Sequence, residues 1–64
     1  MPIIRVEMFE GRTQEQKRKL VKELTNAFVK VAGSNPQNVH VIMTDVSKGD
    51  WGSGGELCSE KFPD

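Results

Sequence analysis

The chain has 64 residues, and its 9 lysine and arginine residues balance its 9 aspartate and glutamate residues. This length, about half that of a common domain, predicts a single domain over residues 1–64. A net charge of zero argues against a nucleic-acid partner, which requires a basic surface. One cysteine and one histidine exclude an internal disulfide and disfavour a structural zinc site. No apolar run is long enough for a membrane span or a secretion signal, so we expect a cytoplasmic protein.

The apolar content is low for so short a chain. Hydrophobic residues make up 36% of the sequence, and a domain of about 60 residues buries only about 60% of its unfolded surface. Other small domains compensate with disulfides or a metal cluster, and this composition offers neither. We therefore expect a homo-oligomer, in which the subunits complete each other's core.

The first two predicted elements are a strand and a helix. Apolar and polar residues alternate over Ile3–Phe9, which predicts a strand that ends in a turn at Gly11. Thr13 and Gln16 have the spacing of a helix-capping box. The helix should extend over Gln14–Ala32, where a glycine follows. Its apolar face is predicted to consist of Leu20, Val21, Leu24, Ala27, Phe28 and Val31.

A second strand and a glycine-rich tail complete the chain. Residues 38–46 alternate again, so strand, helix and strand form a β-α-β unit with parallel strands and a right-handed crossover. Residues 48–55 predict a turn or short hairpin that ends near Cys58. The predicted fold class is α/β (α+β): a single β-α-β unit with a parallel strand pair and a short C-terminal hairpin. Because a two-stranded sheet is not stable by itself, we expect edge-to-edge pairing with a second copy.

Three residues could carry chemistry. Pro2 follows the initiator methionine, and removal of Met1 leaves a free secondary amine. Such an amine acts as a general base if nearby cations and an apolar pocket lower its pKa; alternatively, Pro2 only starts a strand. Arg12 precedes the helix cap, where it is either solvated or faces a ligand carboxylate. Trp51 either packs at a subunit interface or forms the apolar wall of a pocket.

Two further residues are less specific. His40 falls among valines within the second strand, which favours a half-buried, hydrogen-bonded histidine. Cys58 has no flanking base, which favours a small apolar role. The glycines of residues 52–55 do not match a phosphate-binding loop, because no Lys-Ser/Thr ending follows them. The sequence indicates no cofactor and no bound metal.

Four segments together resemble the 4-oxalocrotonate tautomerase family: MPII at 1–4, FEGRT at 9–13, EQK at 15–17 and WGSGGE at 51–56. Their order and spacing match over nearly the whole chain. The resemblance implies a tautomerase-like β-α-β fold and a cofactor-independent isomerase, usually a hexamer built as a trimer of dimers. It also implies that Pro2, after removal of Met1, is the general base that moves a proton between oxygen and carbon.

The resemblance extends to the binding site. Arg12 matches the arginine that binds the distal carboxylate, and Trp51 matches an aromatic position at the pocket wall. We expect Phe9 to bind the substrate together with them. His40 stands where the type enzyme has a second arginine. Arginine holds a carboxylate through two parallel bonds, whereas histidine donates at most one per ring nitrogen. We therefore expect weaker binding of the 1-carboxylate end and a somewhat higher pKa of the Pro2 amine.

The expected function is keto-enol tautomerisation of 2-hydroxydienoate and 2-oxo acid substrates such as 2-hydroxymuconate, in the degradation of aromatic compounds. One alternative is a superfamily member with a different carboxylate substrate, either an aryl pyruvate tautomerase or a hydratase- or dehalogenase-like enzyme. Another is a non-catalytic oligomeric binding protein. A hexamer is expected, with a dimer as the alternative. In either assembly the site can be shared, so Arg12 and His40 need not act on the Pro2 of their own chain.

Overall fold

The computed structural model describes residues 1–63. Its elements are β1 (Ile3–Phe9), α1 (Gln14–Ala32), β2 (His40–Val46), β3 (Gly52–Ser53), β4 (Glu56–Leu57) and α2 (Cys58–Lys61). The predicted β-α-β unit with a short C-terminal hairpin is confirmed, since β1 and β2 are parallel and β3 and β4 are antiparallel. Periodicity does not predict α2, because its 4 residues make only about one helical turn.

Helix α1 covers one face of the β1–β2 pair. The strands are in register from Ile3 opposite His40 to Phe9 opposite Val46. The Lys17 ammonium pairs with the Asp45 carboxylate, which places α1 on the sheet face that carries Asp45. Five half-buried apolar residues of the two strands alternate onto this same face: Ile4, Val6, Met8, Val41 and Met43. The core therefore lies between α1 and one side of a two-stranded sheet.

Both ends of α1 form as the sequence predicts. Thr13 Oγ1 accepts the Gln16 N–H at 3.1 Å, and Gln16 Oε1 accepts the Thr13 N–H at 2.9 Å, which completes the capping box. At the other end, Gly33 adopts φ 72° and donates its N–H to the Val29 carbonyl. These local signals explain why the predicted limits of the helix are correct.

The sheet-facing side of α1 differs from the predicted apolar face. Val31 is 86% exposed and Ala27 is also exposed, while Thr25 and Val29 are half-buried in their place. Burial of Thr25 is tolerated because its hydroxyl donates to the Val21 carbonyl at 2.7 Å. The helix is thus turned about its axis from the predicted orientation, and part of its apolar surface faces away from the sheet.

Strand β2 begins at His40 and not at residue 38. Residues Pro36–Asn38 form a 3₁₀ turn instead, and the Asn35 side chain caps it by accepting the Gln37 N–H at 3.0 Å. This Asn-Pro turn takes the place of the first residues of the predicted strand. A second 3₁₀ turn, Lys48–Asp50, connects β2 to β3.

The core of the isolated chain is incomplete. Among residues 1–63 only Cys58 is fully buried, with 1% of its surface exposed. On the sheet face opposite α1, Ile3 and Ile42 are 53% and 43% exposed. The accessible surface is 4983 Å², against about 4,100 Å² for a compact monomer of this size. The radius of gyration is 14.7 Å, against about 11 Å for a compact domain. Both values fit a subunit that completes its core with other copies.

Candidate active site

Pro2 lies immediately before β1 and beside the start of β2. Its carbonyl accepts the His40 N–H at 3.0 Å, which extends the β1–β2 ladder to this residue. Pro2 is half-buried, whereas Met1 is 84% exposed. Met1 is therefore accessible to removal in the folded chain, while the sheet holds Pro2 in place.

His40 is the first residue of β2 and is exposed, so the expectation of a half-buried histidine within a strand is wrong. The cause is the late start of β2, which leaves this position at the end of the sheet. His40 is in register with Ile3, and both side chains lie on the sheet face opposite α1. The backbone of His40 thus contacts Pro2, while its imidazole is open to a ligand or a second copy.

Arg12 lies beyond the other end of β1, directly before the N-cap of α1. Its guanidinium Nη1 donates to the Phe9 carbonyl at 2.9 Å, and the side chain is exposed. A cation at this position opposes the positive end of the helix dipole at a cost of up to about 1 kcal/mol. The guanidinium and the positive end of the helix dipole both attract an anion. Because a guanidinium has five N–H donors, the bond to Phe9 leaves donors for a carboxylate.

Phe9 and Trp51 form an aromatic pair beside this arginine. Their ring centroids are 4.5 Å apart with an interplanar angle of 58°. The backbone holds Trp51 in place, since its carbonyl accepts the Cys58 N–H at 2.8 Å. The Lys48 ammonium lies 5.9 Å from the Phe9 ring centroid and donates to the Phe62 carbonyl at 2.9 Å. Lys48 is a neighbour that the sequence analysis missed; its only signal is its place three residues before Trp51.

A cavity of about 340 Å³ lies beside Trp51. Its lining residues are Glu7, Val46, Asp50, Trp51 and Gly52. Two carboxylates in the wall repel an anionic ligand, so this cavity does not fit the expected carboxylate substrate. Neither acidic residue was predicted, although Glu7 shares a strand face with Phe9 and Asp50 precedes Trp51 in the sequence.

A single chain does not bring the predicted site residues together. Pro2 and His40 form what we term the proline end of the β1–β2 pair. Arg12, Phe9 and Trp51 form what we term the arginine end. Seven residue steps separate Pro2 from Phe9, which is about 23 Å along a strand. This distance exceeds the length of a six-carbon diacid, so one such ligand does not reach both ends of the same chain.

The described residues show neither a metal-binding cluster nor a membrane span. Within residues 1–63, His, Cys, Asp and Glu side chains do not come together in groups of three or more. No helix in this part of the chain has the length and hydropathy needed to cross a bilayer.

Comparison with protein families matches residues 2–61 to the tautomerase enzymes. The chain belongs to the tautomerase family. A protein of Staphylococcus haemolyticus that is named a probable tautomerase is 46% identical to it over 60 residues, which are 94% of this chain and 97% of that protein. The family resemblance of the four sequence segments is therefore confirmed, and membership supports tautomerase activity in the broad sense.

Solved structures of 4-oxalocrotonate tautomerase homologues share the fold of this tautomerase. TomN, a homologue in the tomaymycin biosynthetic pathway, superimposes with a TM-score of 0.93 at 30% identity, over 98% of this chain and 97% of that one. A heterohexamer 4-oxalocrotonate tautomerase from Chloroflexus aurantiacus J-10-fl gives a TM-score of 0.88 at 32% identity, over 94% and 97% of the two chains. The β-α-β unit with its C-terminal hairpin is thus a tautomerase fold.

Proposed function

We propose that this tautomerase is a cofactor-independent keto-enol isomerase that uses Pro2 as its general base. Its substrates are 2-hydroxydienoates and 2-oxo acids such as 2-hydroxymuconate. One observation supports the proposal most directly: the Pro2 carbonyl accepts a hydrogen bond from the His40 N–H at 3.0 Å, while Met1 is 84% exposed. Loss of Met1 then leaves a secondary amine at a fixed position at the end of the sheet.

Each proposed site residue has one task. The Pro2 amine takes the proton of the substrate 2-hydroxyl group, the oxygen becomes a carbonyl, and the same proton is delivered to a remote carbon. Arg12 binds the distal carboxylate and draws electron density toward it. Phe9 and Trp51 form the apolar wall that disfavours the protonated amine. His40 donates a single hydrogen bond to a substrate oxygen.

The proposed site is shared between copies of the chain. The proline end of one copy meets the arginine end of another, because about 23 Å separates the two ends within one chain. The exposed apolar surface supports this assembly, with Ile3 53% and Ile42 43% exposed. We propose a homohexamer built as a trimer of dimers, with a dimer as the alternative. The 4-oxalocrotonate tautomerase from Chloroflexus aurantiacus, which has a similar fold, is a heterohexamer, and this supports an assembly of that size.

Loss of the Pro2 secondary amine tests the proposed base. Retention of Met1 converts this amine to a non-basic amide nitrogen, whereas Pro2→Ala replaces it with the primary amine of alanine. A positioned proton-transfer group contributes about 10²–10⁴-fold, so the Met1-retaining chain should lose ketonisation of 2-hydroxymuconate by that factor, and Pro2→Ala should lose less. Ultraviolet absorbance follows the reaction, and intact mass shows whether Met1 is present.

Pro36→Ala is the matched control, because Pro36 lies in the 3₁₀ turn before β2 and outside the proline end and the arginine end. It should keep the ketonisation rate of the parent chain. Unchanged turnover in both Pro2→Ala and the Met1-retaining chain would exclude Pro2 as the base. Lack of activity of the processed parent chain on every 2-hydroxydienoate would favour a non-catalytic binding protein.

A second candidate is a tautomerase of a monocarboxylate, such as an aryl pyruvate. His40 weakens the case for 2-hydroxymuconate, because this residue stands where the type enzyme has an arginine at the 1-carboxylate end. The aromatic pair of Phe9 and Trp51, at 4.5 Å, offers an apolar surface for an aryl group. The ratio of kcat/KM for 2-hydroxymuconate and for the enol of phenylpyruvate decides between the two substrate classes.

A further inference from the structure

The chain turns from β1 to α1 within very few residues. The Glu10 N–H donates to the Val46 carbonyl at 3.1 Å, which still belongs to the β1–β2 ladder. Thr13 is already the N-cap of α1. Gly11 and Arg12 therefore make the whole turn from strand to helix.

Gly11 makes this turn in a backbone conformation that other residues avoid. Its φ is +122°, in the positive region that L-amino acids rarely adopt. A methyl group at this position would meet no atom of the described residues within 4 Å. The requirement for glycine therefore comes from the backbone conformation and not from crowding.

The direction of the Phe9 carbonyl shows where the turn places the Arg12 guanidinium. The Pro2 carbonyl and the Glu10 N–H both bond to β2, and successive backbone groups of a strand point to alternate sides. The Phe9 carbonyl therefore points away from β2, to the edge of β1 that no other strand of residues 1–63 pairs. We term this the open edge of β1. Arg12 Nη1 donates to this carbonyl at 2.9 Å, so the guanidinium lies at the open edge.

We propose that Gly11 is a positioning residue for Arg12, an inference that rests on the proposed role of Arg12 in binding the distal carboxylate. The positive φ of Gly11 turns the chain back, and the Arg12 guanidinium reaches the Phe9 carbonyl. An exposed arginine otherwise samples many rotamers. Holding it in one orientation before the ligand arrives removes part of the entropic cost of binding. The guanidinium keeps further N–H donors for the carboxylate.

Gly11→Ala tests this role, with Gly49→Ala as the matched control. Gly49 has no positive φ, and a methyl group there makes an ordinary contact 3.8 Å from Ser47 Oγ. We expect Gly11→Ala to raise KM for a substrate with a distal carboxylate by about 10- to 100-fold, the range for loss of a charge-assisted hydrogen bond. KM for a monocarboxylate should change little in either variant.

Substitution by D-alanine at the same position separates backbone conformation from side-chain size. A D-residue accepts positive φ, and a chain of 64 residues is within reach of chemical synthesis. Gly11→D-Ala should therefore return KM to near the value of the parent chain. Equal losses with L- and D-alanine would overturn the positioning role. If the L-alanine chain does not assemble, Gly11→Asn replaces it, because asparagine is enriched among non-glycine residues at positive φ, and its KM should exceed that of the D-alanine chain.

Arg12→Ala distinguishes this inference from the proposed function. A raised KM for the diacid in Arg12→Ala, with no further rise when Gly11→Ala is added, shows that both substitutions act through one group. A raised KM in Arg12→Ala with a normal KM in Gly11→Ala overturns the positioning role alone. An unchanged KM in Arg12→Ala overturns the carboxylate role itself. Unfolding midpoints of all variants at one protein concentration identify any general loss of structure.

Discussion

At the scale of single residues, His40 combines a backbone bond with an exposed side chain at the proline end. Its N–H holds the Pro2 carbonyl at 3.0 Å, and this bond does not depend on the side chain. Its imidazole is exposed on the sheet face opposite α1. A substitution at this position therefore changes the charge presented to a ligand and leaves the backbone support of Pro2 in place.

We expect His40→Arg to raise kcat/KM for 2-hydroxymuconate by about 10- to 100-fold, since a hydrogen bond to a charged group contributes about 1.5–3 kcal/mol. The gain should be similar for the enol of phenylpyruvate, because its one carboxylate lies next to the 2-oxygen, as the 1-carboxylate of 2-hydroxymuconate does. Steady-state kinetics on both substrates measure the two gains. His40→Gln is the control, because glutamine donates hydrogen bonds without charge. Equal kinetics of the arginine and glutamine variants would contradict a ligand-facing role.

At the scale of elements, local signals predict where α1 begins and ends, but not which side of it is buried. Thr13 and Gly33 fix the ends through hydrogen bonds within a few residues of chain, so sequence alone suffices. The buried side depends on contacts with β1 and β2, which no local pattern contains. Thr25 packs inward because its hydroxyl is satisfied by Val21, and Val31 is left 86% exposed. The late start of β2 has a different and local cause, since a capped turn competes with the strand pattern.

The capping box at the start of α1 gives a stability prediction. Thr13→Ala removes the acceptor of the Gln16 N–H and should lower the free energy of unfolding by about 1 kcal/mol per subunit, within a range of about 0.5–2. Thr13→Ser keeps a hydroxyl acceptor and should lose much less. Urea titration at one fixed protein concentration measures both variants, because unfolding of an oligomer depends on concentration. Equal destabilisation by serine and alanine would show that the hydroxyl does not cap the helix in solution.

At the scale of the whole molecule, the sequence predicts which residues belong to the candidate site, and the structure adds where they lie. The family resemblance selects Pro2, Arg12 and Trp51 one by one. It does not give the distance of about 23 Å by which β1 separates Pro2 from Phe9, and a motif carries no information on which copy of the chain supplies each residue. The low apolar content and the radius of gyration of 14.7 Å both indicate that the core of a single chain is incomplete.

Mixing of two inactive variants tests whether the site is shared between subunits. A Met1-retaining chain lacks the free amine of the proposed base and Arg12→Ala lacks the group proposed to bind the carboxylate, so each variant alone should have little activity on a diacid. If each site takes Pro2 from one copy and Arg12 from another, random exchange of subunits at equal amounts gives about a quarter of the sites both native residues. Activity on 2-hydroxymuconate should therefore return to about a quarter of the parent value after unfolding and refolding the two variants together.

Refolding each variant separately and then mixing briefly is the control, and native mass spectrometry confirms that mixed assemblies form. Mixed assemblies without recovered activity would show that each site takes Pro2 and Arg12 from the same chain. That result would contradict the distance of about 23 Å that one strand puts between the two ends.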